Sequence, residues 1–279
     1  MSAAITRAAT DVQIGCCAPL AMAPLVREAG FDYVELPTAT FLPAENDAAF
    51  APVRAEILAL GLPVYACNVF IPGTYKITGL TADADRETVY AYAATALRRI
   101  AEVGVRVQVF GSGGARSIPE GFDRAQALDQ LAAFLTHVER ESVAAGVTVV
   151  IEPLNTKESN VFTSVAESDQ FNQTRGLDGI YVLADLYHMA LEHEGYDGMV
   201  TADRRLRHAH VADVDRKPPG EGVVADYPGF FRALRSIGYT GGVSVESRWT
   251  TAEHDRAARA AEYARAYQFV RKAWDASDA

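Results

Sequence analysis

The feature that most constrains this chain is a unit met eight times: a short apolar run, a polar loop, and an amphipathic stretch that usually stops at a glycine. The apolar runs fall at 12–17, 31–36, 63–70, 105–110, 147–151, 180–184, 208–212 and 242–246. The amphipathic stretches are expected as helices at 19–29, 48–60, 84–103, 124–145, 163–173, 186–192, 227–237 and 252–274, with Asp83 as the N-cap of the third and Gly104 as its stop. Strand and helix in alternation imply a parallel sheet. Eight such units in about 250 residues is the number that closes a (β/α)8 barrel. The competing architecture, an open doubly wound sheet, lacks its G-x-G-x-x-G turn after the first strand. No linker or low-complexity segment interrupts the 279 residues. The expectation is therefore an α/β protein, a single (β/α)8 TIM barrel occupying residues 1–279.

Charge and composition narrow the class. The formal net charge is −10, which disfavours nucleic acid and anionic membranes, since both are bound by clustered Lys and Arg. No apolar run approaches the ~20 residues of a membrane helix, and residues 1–11 contain no apolar core of a secretory signal. Three cysteines, Cys16, Cys17 and Cys67, leave one unpaired under any scheme, which fits a reducing compartment and a cytoplasmic protein.

The fifth run, Val-Val-Ile-Glu-Pro-Leu-Asn at 149–155, ends on a carboxylate. Pro153 holds Glu152 extended and then lets the chain leave the sheet. Polar side chains at the carboxyl ends of barrel strands face the active-site rim. Glu152 ends the fifth strand, Asp185 the sixth, His210 the seventh and Glu246 the eighth, at intervals of 33, 25 and 36 residues. Each interval is about one strand–helix unit, so one metal-capable side chain arrives from each of four consecutive strands. Carboxylates ~4 Å apart repel by roughly 4 kcal/mol at an effective dielectric near 20, and a divalent cation removes that cost. Three oxygen donors and one nitrogen suit Mn²⁺ first, with Mg²⁺ and Co²⁺ as the other candidates. Taken singly, each carboxylate reads equally well as a cap or ion-pair partner; only the set of four argues for a metal.

Further residues point the same way. His208 and His210 share a strand face, as do Ser244 and Glu246, while Ala209, Val211, Val243 and Val245 face the helices. His188 follows Asp185 by three residues, a helical neighbour. Arg216 opens a Pro- and Gly-rich loop and is a candidate clamp for hydroxyls or phosphate. The Gly-Ser-Gly-Gly-Ala-Arg run at 111–116 reads either as a phosphate cradle of backbone N–H groups or as a plain turn. Glu35, at the end of the second strand, His208 and Lys76 are candidate substrate contacts.

Ile-Glu-Pro-Leu-Asn at 151–155, Asp-x-x-His at 185–188, His-x-His at 208–210 with Arg216 beyond, and Val-Glu at 245–246 together resemble the xylose-isomerase-like sugar phosphate isomerase/epimerase superfamily. Within it the likeness is to the D-tagatose and D-allulose 3-epimerase and hydroxypyruvate isomerase group. That resemblance implies a divalent metal held by Glu152, Asp185, His210 and Glu246, with the two glutamates also acting as acid and base. It further implies substrate contacts from Glu158, His188 and Arg216. The activity expected is epimerisation or isomerisation of a ketose or keto-sugar through a cis-ene-diolate. The alternative is a lyase on the same site, an inosose dehydratase or a β-elimination of a 3-keto C-glycoside. The expected partners are the sugar and a second copy of the chain, or a small second subunit for the C-glycoside lyase. A DNA-repair nuclease on this barrel would need a histidine-rich trinuclear zinc site and a basic groove, which six histidines and a charge of −10 oppose. A non-catalytic scaffold would have no use for the four-ligand set.

Overall fold

A computed structural model describes residues 12–278. Eight parallel strands close into one barrel in sequence order: β1 Gln13–Cys17, β2 Tyr33–Pro37, β3 Val64–Asn68, β4 Val107–Phe110, β5 Thr148–Ile151, β6 Ile180–Asp185, β7 Leu206–Val211 and β8 Gly242–Val245. β8 returns to β1, pairing Val245 with Cys16. The fold is thus the (β/α)8 barrel that the alternating pattern implied. Residues 1–11, read above for a secretory signal, lie outside the described residues. Among those described, no helix is long and apolar enough to cross a membrane.

Each strand exposes two environments. Ala209, Val211, Val243 and Val245 join the large core between barrel and helices. Ala66, Val107, Val109, Val150 and Leu183 form a smaller cluster inside the barrel. This is the two-residue pleat at work, and it turns His208, His210 and Ser244 inward as their parity required. The aromatics of the helix Asp83–Glu102 serve the same packing: Tyr90 stacks on His137 and Tyr92 packs against Tyr75.

Boundaries differ where capping chemistry overrides the apolar pattern. Ala82, not Asp83, is the extended residue before that helix; Asp83 is its first residue and pairs with Arg86 at 2.6 Å. An aspartate there still favours the positive helix end. The last helix starts at Arg256 rather than 252, because Asp255 caps it by accepting from the Ala258 N–H at 3.0 Å. Glu262 meanwhile holds Thr250 and Thr251 outside the helix. The stretch after β6 also contains a short helix, Asp197–Ala202, that no periodicity announced.

One half-buried acid in this frame makes stability depend on pH. Glu194 accepts from the Val165 N–H at 2.9 Å, and burial pushes its carboxyl up to about 7. A carboxyl raised on folding contributes stability that is complete below its ordinary range and lost as pH rises through about 7. Glu194→Gln, which keeps an acceptor for Val165, is expected to raise Tm relative to wild type at pH 8 and to give no gain near pH 4, as read by calorimetry.

Candidate active site

The strand ends deliver their polar residues to one rim. Glu152 stays in the ladder through its N–H to the Phe110 carbonyl (3.2 Å) before Pro153 takes the chain away. Asp185 closes β6 and caps the next helix, its Oδ1 accepting from the N–H groups of Tyr187 (2.7 Å) and His188 (3.2 Å). Its other oxygen stays free for the site. The strand register sets Asp185 beside His210 and His210 beside Ser244. Glu246 follows β8, held by its N–H to the Val211 carbonyl at 3.1 Å. One donor atom each from Glu152, Asp185, His210 and Glu246 lies within 4.8 Å of the others. Above them opens a cleft of about 280 Å³. A larger recess of about 730 Å³ at the opposite barrel end is lined by Tyr65, Arg106 and Arg207 among others, and contains none of these four.

The electrostatics of the cluster are those of a site built around positive charge. His210 Nδ1 stands 3.0 Å from Glu152, 3.7 Å from Glu246 and 3.8 Å from Asp185. Burial opposes a charged ring, yet Glu35 and Glu152 outweigh it and hold the His210 imidazole well above its usual range. Burial, then the charge of Glu246, raises the Glu152 carboxyl. Burial raises Asp185 too, against the pull of His210. Three carboxylates and one imidazole nitrogen converging from four strands fit a divalent cation, which would supply the charge that a single histidine cannot. A second trio, Cys17, Glu35 and His210, is equally close, but both Glu35 oxygens already accept hydrogen bonds.

Around the cluster stand groups suited to sugar hydroxyls. The Asn155 N–H donates to His188 Nδ1 at 3.0 Å, so the proton of the neutral ring sits on Nε2. That Nε2 is buried and has no partner, a donor left for a bound molecule. Burial also lowers the His188 pKa, favouring this neutral form. Arg216 bridges Glu246 (2.9 Å) and Glu158 (3.1 Å) with its guanidinium over Tyr187. Asp213 shapes the loop that carries it, accepting from Gly220, Gly222 and the Tyr227 hydroxyl. Glu158 lies at the open edge and also receives Asn155 Nδ2 at 3.0 Å. Three candidates stand apart. Lys76 is exposed and donates to the carbonyl of Gly114, a residue of the cleft wall, without lining the cleft itself. Glu35 and His208 are fully buried beneath the rim and bonded to each other, so burial separates them from the cleft in which a substrate contact was expected. The 113–116 turn is a helical turn whose N–H groups at Ala115 and Arg116 bond to Ser112, which removes them from any phosphate cradle.

The profile of the xylose isomerase-like TIM barrel family matches residues 23–272. The chain belongs to this family. It is 27% identical over 230 residues to a D-psicose 3-epimerase of Agrobacterium fabrum, spanning 79% of this chain and 76% of that one. It is 30% identical over 231 residues to an L-ribulose 3-epimerase of Mesorhizobium japonicum, spanning 79% and 72%. Among solved structures, a 3-keto-D-glucoside 4-epimerase from E. coli superposes with a TM-score of 0.78 at 24% identity, covering 94% of this chain and all of the other. The chain is accordingly an enzyme of the epimerase and isomerase kind, and these relatives do not favour the lyase alternative.

Three residues of this xylose isomerase-like barrel that hold the site were not singled out from sequence. Asn68, at the end of β3, donates to Glu246 at 3.1 Å. Asn155 fixes His188 and Glu158. Arg116, fully buried, donates to the carbonyls of Phe110 (2.8 Å), Glu152 (2.8 Å) and Phe162 (3.3 Å) between two aromatic rings. Asn68 had a usable signal, a polar residue at a strand end; Arg116 had none, because a loop arginine reads as solvated. Arg116→Met leaves the Glu152 carbonyl without a donor, while the Phe110 and Phe162 carbonyls keep the N–H groups of Glu152 and Leu154, and is expected to cost about 1–3 kcal/mol in urea unfolding. It should also lower activity, since the Glu152 backbone loses its anchor.

Proposed function

We propose that the protein is a divalent-metal-dependent epimerase of a ketose or keto-sugar, with Glu152 and Glu246 as the proton-transfer pair. The observation that carries this is the convergence of four donor atoms within 4.8 Å from four consecutive strand ends. The two glutamates come from β5 and β8, with β6 and β7 between them, so they reach the cleft from different sides. The names of the relatives, ketose 3-epimerases and a keto-glucoside 4-epimerase, support a substrate with a hydroxyl-bearing carbon beside a carbonyl. Mn²⁺ is the first candidate cation, with Mg²⁺ and Co²⁺ next.

When bound, the cation would neutralise charge developing on two adjacent substrate oxygens, which lowers the barrier to an ene-diolate. The chain supplies the rest. One glutamate takes the proton from the carbon beside the carbonyl; the C–H electron pair enters the new C=C bond and the carbonyl oxygen becomes the ene-diolate oxygen. The other glutamate, protonated, returns a proton to the opposite face of that carbon, and the inverted centre is the product. His188 Nε2–H and Arg216 can donate to substrate oxygens and hold the reacting carbon between the two acids.

Incubation with D-fructose, D-tagatose or a 3-keto-glycoside in D₂O is expected to give an epimer carrying solvent deuterium by NMR; an unsaturated or released product would overturn the reading. Glu152→Gln and Glu246→Gln should each lower kcat by about 10²–10⁴-fold with an unchanged circular dichroism spectrum, and near-wild-type turnover in either rejects the acid/base pair. Asp185→Asn and His210→Ala should reduce the metal-to-protein ratio by ICP-MS; unchanged occupancy would remove those ligands from the scheme.

A further inference from the structure

We infer that Glu35 is a positioning residue that fixes His210 for cation binding, and so sets how tightly the four-ligand site holds its metal; the inference rests on the metal site proposed above. Glu35 has no exposed surface. A carboxylate sealed from water persists only if donors replace its hydration, and here three do. Oε1 accepts from His210 Nε2 at 3.1 Å. Oε2 accepts from His208 Nε2 at 2.9 Å and from the Ser244 hydroxyl at 2.6 Å. Both oxygens are therefore committed.

The consequence falls on His210. A carboxylate only accepts, so the His210 nitrogen facing it, Nε2, must carry a proton. With Nε2 committed to Glu35, the lone pair that a cation would use falls on Nδ1, the nitrogen that faces Glu152, Asp185 and Glu246, once the cation displaces the proton shared there with Glu152. A ring turned over about its Cβ–Cγ bond would lose the bond to Glu35, so the carboxylate selects both tautomer and orientation. Carboxylate–histidine pairs of this kind raise ligand basicity and fix the ring at metal sites.

The surroundings are shaped to hold this carboxylate. The Tyr33 hydroxyl lies 2.8 Å from Ser244 Oγ, passing the support back by one residue. Its ring has room only because two neighbours are glycines. A Cβ on Gly15 would stand 2.0 Å from the Tyr33 ring, and one on Gly242 would stand 2.5 Å from its hydroxyl. Strands β1, β2, β7 and β8 thus all contribute to the setting of one buried acid.

The test is Mn²⁺ titration of the metal-stripped protein by calorimetry, with thermal unfolding of the same samples. Glu35→Gln keeps the shape but turns an amide N–H₂ toward one of the donors. Its Mn²⁺ Kd is expected to rise about 10–100-fold. Ser244→Ala, which removes one donor and leaves Glu35 in place, should raise Kd by about threefold. If Glu35→Gln does not fold, the Ser244→Ala result decides. A purely structural role predicts a lower Tm with Kd within twofold of wild type, and that outcome in a folded Glu35→Gln overturns the inference, as does an unchanged Kd in Ser244→Ala. A wild-type protein that takes up no divalent cation would instead reject the metal reading, and this inference with it, so the two failures are distinguishable.

Discussion

Closing eight strands on themselves sends every second side chain of each strand into one shared, buried interior. Whatever polar groups enter must satisfy each other. Along the axis this interior changes character. Val107, Val109, Val150 and Leu183 fill an apolar layer. The Glu35, His208, His210 and Ser244 set follows, in which one carboxylate collects three donors. Only at the strand ends, where the cleft opens, do carboxylates stand together without enough cationic partners to neutralise them. The site is where interior packing stops being able to balance charge, and it is there that the proposed cation would sit.

The rim is held by contacts that do not themselves react. Arg116 ties the ends of β4 and β5 through backbone carbonyls. Asp213 folds the loop that brings Arg216 across to Glu246 and Glu158. Three of the seven non-glycine residues with positive φ among the described residues, Val69, Ser112 and Arg216 (φ +48° to +59°), line the cleft. Such conformations persist only where surrounding contacts over-determine them. For Arg216 those contacts are its N–H to the Asp213 carbonyl and its carbonyl to the Arg248 N–H.

The parts of this architecture written in local chemistry were legible before any coordinates. Alternation of apolar runs with glycine-ended helices named the barrel, and two-residue parity predicted that His208, His210 and Ser244 turn inward. The spacing of Glu152, Asp185, His210 and Glu246 placed them on one rim, because each strand–helix unit returns the chain to the same end. The N-caps escaped where two candidates compete within a few residues, as with Ala82 against Asp83, since the decision depends on which backbone conformation the tertiary contacts favour.

What the sequence by itself determined was therefore the fold and the identity of the rim: periodicity and unit length are properties of the chain that survive in any environment consistent with them. What only the tertiary structure decided was the job of each polar residue behind that rim. Glu35 reads from sequence as another strand-end acid like Glu152. One lies sealed under His210 and the other opens to the cleft, because β2 runs on past Glu35 to Pro37 whereas β5 stops at Ile151, before Glu152. Arg116, a loop cation in the sequence, becomes an internal brace because the carbonyls of Phe110, Glu152 and Phe162 converge on it. Hydrogen-bond partners of a buried group come from strands far apart in the chain, so they exist only once the barrel has closed.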